Sequence, residues 1–381
     1  MHMSMPAIRL FPIPRNGHGP TPDRDPWQQL RQAIGARPSG IVQFPTRRSR
    51  LDQLRPGETL LILRKYGGLG DILISSMIFP MLAEQFPHVR VTYACPKSYH
   101  PLFEGTGLTL RPYEDVFSGE NHYHRGTVRP ELLTQYDLIE DISIGCHLWE
   151  TVFGQYGGLT TPNGNGLKWR NRLDMWCRWF GVAVAQPRTN IIVREKEQAA
   201  ARRLLAQTVG TGKPVCLLAP FASNRTKSYP WIVALSERLV SDGWSVALLH
   251  SSRVPVPVPT LSDLSFRQMG ALCAVADLIL SVDSAAFHWG GILRRPTLGI
   301  FNVNDGAVYA KYYPTARVVQ ICTTPCLNTR YGPGKGTCPK HTPEPLPVLS
   351  ASAMATSRCY PRFSVNVIAE AARAFAEVRQ P

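Results

Sequence analysis

The chain of 381 residues has no run of apolar residues approaching the ~18 a membrane span needs, and no charged stretch leading into an apolar one near its start. A membrane-spanning or conventionally secreted protein is therefore not expected, and a cytoplasmic location follows. In that compartment the nine cysteines are expected to be reduced thiols rather than disulfides. Acidic residues are also scarce. Asp and Glu number 27 against 42 Lys and Arg, a net charge of +15 with far more Arg than Lys, so the surface should attract polyanions. The three glycines at 67, 68 and 70 do not form Gly-x-Gly-x-x-Gly, and no Gly-Lys-Ser/Thr follows them, which excludes the dinucleotide and Walker fingerprints there. The C-terminal half has no Asp-x-Asp pair, the carboxylate motif that would hold a catalytic metal on a diphosphate.

With 44% hydrophobic content the chain can bury a large core and is expected to form two domains. Apolar strand-like runs at 59–64, 89–94, 138–142, 214–218, 245–249, 276–282 and 297–301 alternate with helical patterns. Such alternation predicts parallel sheets with crossover helices, an α/β fold whose ligands bind beyond the C-terminal strand ends. Residues 72–86 have helical spacing, 167–181 read as an amphipathic helix with Leu173, Trp176 and Phe180 on its apolar face, and 363–378 read as a final Ala-rich helix. The first 57 residues are rich in Pro and Arg and break any periodicity. The expected organisation is an arm at 1–57, an N-terminal domain at 58–185, a C-terminal domain at 186–321, a cysteine-containing insert at 322–362 and a terminal helix at 363–381.

Two strand-to-helix turns carry chemistry. Residues 283–296 read Asp-Ser-Ala-Ala-Phe-His-Trp-Gly-Gly-Ile-Leu-Arg-Arg-Pro. A strand ending in an acid and small residues before a helix leaves backbone N–H groups facing whatever sits above the turn, which suits a phosphate or sugar. His288 lies within reach of the same space. Asp283 and Ser284 could equally serve only as helix caps. In the other half, Gly67-Gly68-Leu69-Gly70-Asp71 follows a strand; its glycines permit a tight turn and close approach of a substrate, with Asp71 at the helix start.

These turns, with the loop at 217–230 (Leu-Leu-Ala-Pro-Phe-Ala-Ser-Asn-Arg-Thr-Lys-Ser-Tyr-Pro), resemble glycosyltransferase family 9, the ADP-heptose:lipopolysaccharide heptosyltransferases and their relatives. The likeness is carried by segments 64–80, 217–230 and 276–301, in family order, across roughly residues 58–305. It implies GT-B architecture, two Rossmann-like domains with parallel sheets facing a central cleft, and a nucleotide-diphosphate sugar, ADP-heptose-like, as donor. Asp71 matches the family's general base, and the family inverts anomeric configuration. Gly68, Gly70, Arg225, Lys227, Asp283, Ser284, Ala285 and His288 would bind the donor. Lys227 and Arg225 would neutralise the diphosphate with the amides of residues 284–287, Asp283 would accept hydrogen bonds from sugar hydroxyls, and His288 would contact phosphate or sugar. A lysine in Asn-Arg-Thr-Lys-Ser is otherwise a solvated loop residue. The chain departs from the family pattern at Ala285, where Gly is usual, at Trp289, where Leu is usual, and at Arg294-Arg295. Val254-Pro255-Val256-Pro257-Val258-Pro259 stands where a Gly-rich turn normally borders the base.

Cys322, Cys326, Cys338 and Cys359 fall in a Pro-, Gly- and Lys-rich segment with too few apolar residues to form its own core. Four thiolates suit zinc or iron, and the segment is similar to the iron-binding insert of the autotransporter heptosyltransferase branch. The basic charge suits a polyanionic acceptor: lipopolysaccharide core, protein or DNA. A phage-type DNA-modifying glycosyltransferase is the alternative enzyme, with His122, Tyr123, His124 and Arg125 as a contact loop. An inactive scaffold, with or without homo-oligomer formation, is the non-enzyme alternative. For the cysteine segment, metal analysis of the purified chain is decisive: about one zinc or iron per chain is expected, lost in Cys326→Ser, and a metal-free chain would remove the reading.

Overall fold

The computed structural model describes residues 10–11, 51–63, 68–118, 127–142, 171–184, 187–222, 227–302, 305–321 and 364–377. Arg225, Cys322, Cys326, Cys338, Cys359 and the 122–125 loop lie outside the described residues. The chain divides between Ile192 and Val193 into two units. The first strand, β1 (Leu10–Phe11), belongs to the second unit, so part of the expected arm joins a sheet: it pairs antiparallel with residues 318–319. No helix among the described residues is long and apolar enough to cross a membrane.

The N-terminal unit runs β2 (Thr59–Leu63), α1 (Leu69–Ser75), α2 (Ile78–Gln85), β3 (Arg90–Cys95), β4 (Thr109–Pro112), β5 (Phe117–Ser118), β6 (Thr127–Val128), α3 (Pro130–Gln135), β7 (Leu138–Asp141) and α4 (Arg172–Phe180). Its main sheet is parallel, in the order β4-β3-β2-β7. The single helix expected over 72–86 is broken at Ser76-Met77. Pro80 explains the break: it has no N–H to give to the Ser76 carbonyl, and its ring crowds that carbonyl. Ser75 and Ser76 turn their hydroxyls back onto the carbonyls of Ile72 and Leu73 (2.8 and 2.7 Å), which loosens the same turn. On α4, Leu173, Trp176 and Phe180 are buried as their spacing requires.

The second unit runs α5 (Glu195–Val209), β8 (Val215–Ala219), α6 (Ile232–Ser241), β9 (Ser245–Leu249), β10 (Thr260–Leu261), α7 (Phe266–Val275), β11 (Leu278–Val282), α8 (Ala285–Ile292), β12 (Thr297–Phe301), α9 (Gly306–Ala310), β13 (Ala316–Gln320) and α10 (Ser364–Glu377). Its sheet order is β1-β13-β12-β11-β8-β9-β10, parallel except at β1. Every residue of β11 and β12 is buried, which is why those stretches read as continuous apolar runs without alternation. Val365, Ile368 and Ala372 seat α10 in the same core as β11, β12 and α6.

Both sheets reverse strand order once, between β2 and β7 and between β8 and β11. One device pins each reversal at the N-terminal edge. Asp137, just before β7, accepts hydrogen bonds from the Thr59 amide (2.9 Å) and hydroxyl (3.0 Å) at the start of β2. Asp277, just before β11, accepts from the Val215 amide (2.8 Å) at the start of β8. Each sits in the same tripeptide, Asp137-Leu138-Ile139 and Asp277-Leu278-Ile279. Ligand crevices form at the opposite, C-terminal ends of such strand pairs.

Helix α8 ends in a Schellman turn: the Arg295 amide bonds the Gly290 carbonyl (2.9 Å) and the Arg294 amide the Gly291 carbonyl (3.2 Å). Arg294 takes the left-handed position with φ 53, a conformation glycine adopts without strain. Arg294→Gly should therefore stabilise the chain by about 0.5–1 kcal/mol, read as a higher midpoint of thermal or denaturant unfolding; a lower midpoint would show that the exposed arginine contributes something the backbone geometry does not reveal.

Candidate active site

In the N-terminal unit the turn after β2 delivers Gly68 as the N-cap of α1, with Gly70 and Asp71 in the first turn. Gly68 has φ −78 and ψ −176, so its backbone does not require glycine. A Cβ placed on it would meet nothing within 4 Å, so packing does not require glycine either. Open space there is what a bound substrate would use. Asp71 is mostly buried and forms an ion pair with Arg172, the first residue of α4. The N-terminal dipole of α1 and the guanidinium both favour the ionised carboxylate.

In the second unit the strand ends of β8 and β11 bring together residues distant in sequence. Lys227, on the loop after β8, places Nζ 2.7 Å from Asp283 Oδ2. On its other oxygen Asp283 faces His288 Nε2 at 3.8 Å, an ion-pair rather than a hydrogen-bond distance. His288 is buried, and its Nδ1 is 2.9 Å from the Tyr313 hydroxyl. Burial alone would raise the Asp283 carboxyl, but Lys227 and His288 outweigh it and hold the group well below the ordinary carboxylate range. Lys227 is thus three-quarters buried and paired, not the solvated loop lysine its local sequence suggests.

Ser284 is the N-cap of α8 but makes no side-chain cap; its hydroxyl lies 2.9 Å from that of Ser281. The Ser284 side chain is not spent on capping, and the first amides of a helix are the groups that can receive an anion at such a turn. Ala285 opens α8 in ordinary helical backbone and is not among the residues with positive φ. Glycine is therefore not needed there for the fold, only for closeness to a ligand.

Local packing fixes these positions. Tyr229 bonds the Pro220 carbonyl through its amide (2.8 Å) and the Ser364 hydroxyl of α10 through its own (2.9 Å). Ser228 Oγ lies 3.2 Å from the Ala222 amide. The backbone on the C-terminal side of Lys227 is held by both contacts. Gly291 lets the Tyr313 ring lie against α8: a Cβ there would come within 2.2 Å of that ring. Only this approach brings the phenol to His288. Tyr313 and Ser364 were not singled out from the sequence, and Tyr229 entered only as part of the 217–230 segment, because tyrosines in Tyr-Tyr-Pro and Ser-Tyr-Pro carry no local mark of a partner.

Among the described residues no group of three or more His, Cys, Asp or Glu could hold a metal ion. The described cysteines Cys95, Cys177, Cys216 and Cys273 are free and buried. Burial pushes the thiols of Cys95, Cys177 and Cys273 up to about 12 and that of Cys216 higher still, so they act as core apolar groups.

Two α/β units on parallel sheets, each with polar residues gathered at the C-terminal ends of its switch-point strands, are the components of the GT-B fold. Residues 171–332 match the family model for Glycosyltransferase family 9 (heptosyltransferase), and this part of the chain is a domain of that family. Among solved structures the chain is similar to a family 9 glycosyl transferase from Veillonella parvula, at 12% identity and TM-score 0.51, covering 68% of this chain and 85% of the other. It is also similar to TibC, an iron-containing dodecameric glycosyltransferase from enterotoxigenic E. coli, at 12% identity and TM-score 0.52, covering 84% and 78%. At that identity the likeness is one of fold. No curated protein matches the chain.

Lys227→Met should remove the cation that lies 2.7 Å from the buried Asp283 carboxylate. Discounting the 3–5 kcal/mol typical of a broken buried pair for the partial exposure of Lys227, the loss should be about 1–3 kcal/mol at neutral pH. Lys227→Met/Asp283→Asn should recover most of it. The pH dependence has a definite sign. The depressed Asp283 carboxyl contributes stability that is complete above the unfolded carboxylate value and lost only as pH falls through its lower folded value, so the unsubstituted chain keeps nearly all of it at pH 4. In the variant, burial without Lys227 raises the carboxyl, which then takes up a proton in the folded state on acidification; the deficit should shrink from pH 7 to pH 4 in urea unfolding, and a deficit independent of pH would detach Lys227 from the Asp283 charge.

Proposed function

We propose that this chain transfers a sugar, heptose or a related one, from a nucleotide-diphosphate donor to an acceptor hydroxyl. The observation that carries the proposal is the meeting of Lys227, Asp283 and the uncapped start of α8 at the switch point of a family 9 domain. Each part supplies what glycosyl transfer needs. As the bond from the anomeric carbon to the diphosphate oxygen breaks, negative charge grows on the leaving group. The Lys227 ammonium and the amides of residues 284–287 receive that charge. Asp283, held ionised, is an acceptor for sugar hydroxyls. Arg225 would join Lys227 on the diphosphate, with Gly68 and Gly70 leaving room at the other turn.

Asp71 takes the proton from the acceptor hydroxyl as the oxygen attacks the anomeric carbon. One base and one direct displacement give inversion, and the lack of an Asp-x-Asp pair in the C-terminal half favours metal-independent departure of the diphosphate. The acceptor fits a polyanion on the charge of +15. The four cysteines, if metal-bound, would have a structural part. TibC, to which the chain is similar in fold, forms a complex with ADP-D-beta-D-heptose, which makes ADP the first probe for this chain.

Asp71→Asn should reduce transfer from an ADP-sugar by about 10²–10⁴-fold, with ADP binding unchanged by calorimetry. Full activity in that variant would assign the base elsewhere, and loss of ADP binding would move Asp71 into the donor site.

A further inference from the structure

Lys227 has two demands on one charge. Its Nζ lies 2.7 Å from Asp283 Oδ2, while the proposed donor site gives it a diphosphate. Asp283 is only 8% exposed, and a carboxylate so placed is strongly disfavoured without a nearby cation. A replacement stands ready. His288 Nε2 lies 3.8 Å from Asp283 Oδ1 and Nδ1 lies 2.9 Å from Tyr313 Oη. The phenol can donate to a neutral ring nitrogen or accept from an imidazolium, so the same contact serves both protonation states. Among the described residues the titratable groups in contact with His288 include Asp283 after β11, Tyr313 before β13 and Tyr309 on α9, whose ring centroid is 6.2 Å away, and Lys227 after β8 lies on the other oxygen of Asp283. Phe287 packs against the imidazole without charge.

We infer that His288 is the reserve cation of this site: when a diphosphate draws Lys227 off Asp283, the imidazole takes a proton from solvent and keeps the carboxylate matched, which rests on the donor role given to Lys227 above. In the free protein Lys227 already supplies a cation to Asp283, so a proton on His288 gains less there. A bound diphosphate reverses that balance. Lys227 has a flexible four-carbon stem and can change partners without backbone motion; His288, fixed by Tyr313, cannot leave. His288 is therefore a positioning residue that keeps Asp283 ionised and aimed at the sugar while Lys227 serves the phosphates.

Proton uptake on binding has a definite sign. Affinity falls as pH rises through the free-protein value of the imidazole, by up to about tenfold per pH unit, and levels off above its value in the complex. Calorimetric titration of the full chain with ADP, in two buffers of different ionisation heat, counts the protons. Near pH 7.5 the phosphate's own second ionisation, close to 6, contributes little. The expected result is uptake of up to about one proton per ADP, abolished in His288→Gln. Ring-nitrogen NMR of the unsubstituted chain gives the same answer without a variant, one of its ten histidines passing to imidazolium when ADP is added. Lys227-dependent binding with no proton uptake and no such change, or uptake that persists in His288→Gln, overturns the inference and leaves the donor site standing. Binding indifferent to Lys227→Met, or no binding of either ADP or pyrophosphate, overturns the donor site and this inference together.

Discussion

A carboxylate at the end of a wholly buried strand must be matched by positive charge, and the second unit is organised around that requirement at Asp283. Strand β11 is buried along its whole length, so the residue after it emerges among the strand ends at the centre of the sheet. The strand order places β8 beside β11 and sends the chain away in opposite directions from the pair. The loop after β8 and the helix after β11 therefore open onto one crevice. Lys227 enters from the first and His288 from the second. Neither is near Asp283 because of local sequence; the topology brings them there.

The same construction recurs in the N-terminal unit. Strands β2 and β7 form its switch point, and the turn after β2 carries Asp71. The two Asp-Leu-Ile tripeptides lock the starts of the switch-point pairs through the bonds of Asp137 and Asp277. A residue that fixes register at one end of a strand pair also fixes where the other end opens. Rigid starts and variable ends are thus consequences of one sheet geometry. The tripeptide repeat was visible in the sequence as an internal likeness between the halves, although its meaning needed the strand pairing.

What was legible from sequence follows the strength of the local signal. Strands at 59–63, 245–249 and 297–301 were readable because parallel strands buried on both faces leave unbroken apolar runs. Strand β13 is interrupted by the exposed Arg317 and ends on the half-buried Gln320, and gave no such run. The helix break before Pro80 was readable in principle, since proline at the third position of a new helix requires the old one to stop. At the site, the turns holding Asp71 and Asp283 were legible from acid, glycine and small residues after a strand. The partners were harder: Lys227 was expected at the donor site from the family resemblance although its own sequence looks solvated, Tyr313 carries no mark, and Arg172 reads only as part of a basic helix face. Pairing across a fold leaves no trace in a sequence window.

The departure from the family pattern at Trp289 has a packing explanation. Trp289, fully buried, lies over Gly270 of α7, where a Cβ would come within 2.7 Å of the indole. A larger side chain on α8 is thus accommodated by a missing one on α7. The indole nitrogen finds no hydrogen-bond partner among the described residues, so the exchange retains a polar penalty that leucine would not have. Gly290 and Gly291, in turn, let α8 sit close to Thr297 and Tyr313, and without that closeness His288 would lose its anchor.

Both candidate carboxylates are already matched by a cation in the absence of ligand, Asp71 by Arg172 and Asp283 by Lys227. Such pairing keeps each acid ionised before substrate arrives, so the charge that catalysis needs is not assembled at the moment of binding. It also shapes how ligands enter. An anionic group that takes a cation from its carboxylate exchanges one ion pair for another, which is far less unfavourable than stripping water from an isolated charge. The exchange succeeds only if the abandoned carboxylate finds a new partner. Asp283 has His288 within 3.8 Å for that purpose; Asp71, on the proposed route, finds it in the acceptor hydroxyl whose proton it takes. On that route the two acids would be separated by environment, Asp283 remaining a charge that orients the sugar and Asp71 becoming neutral as the bond forms.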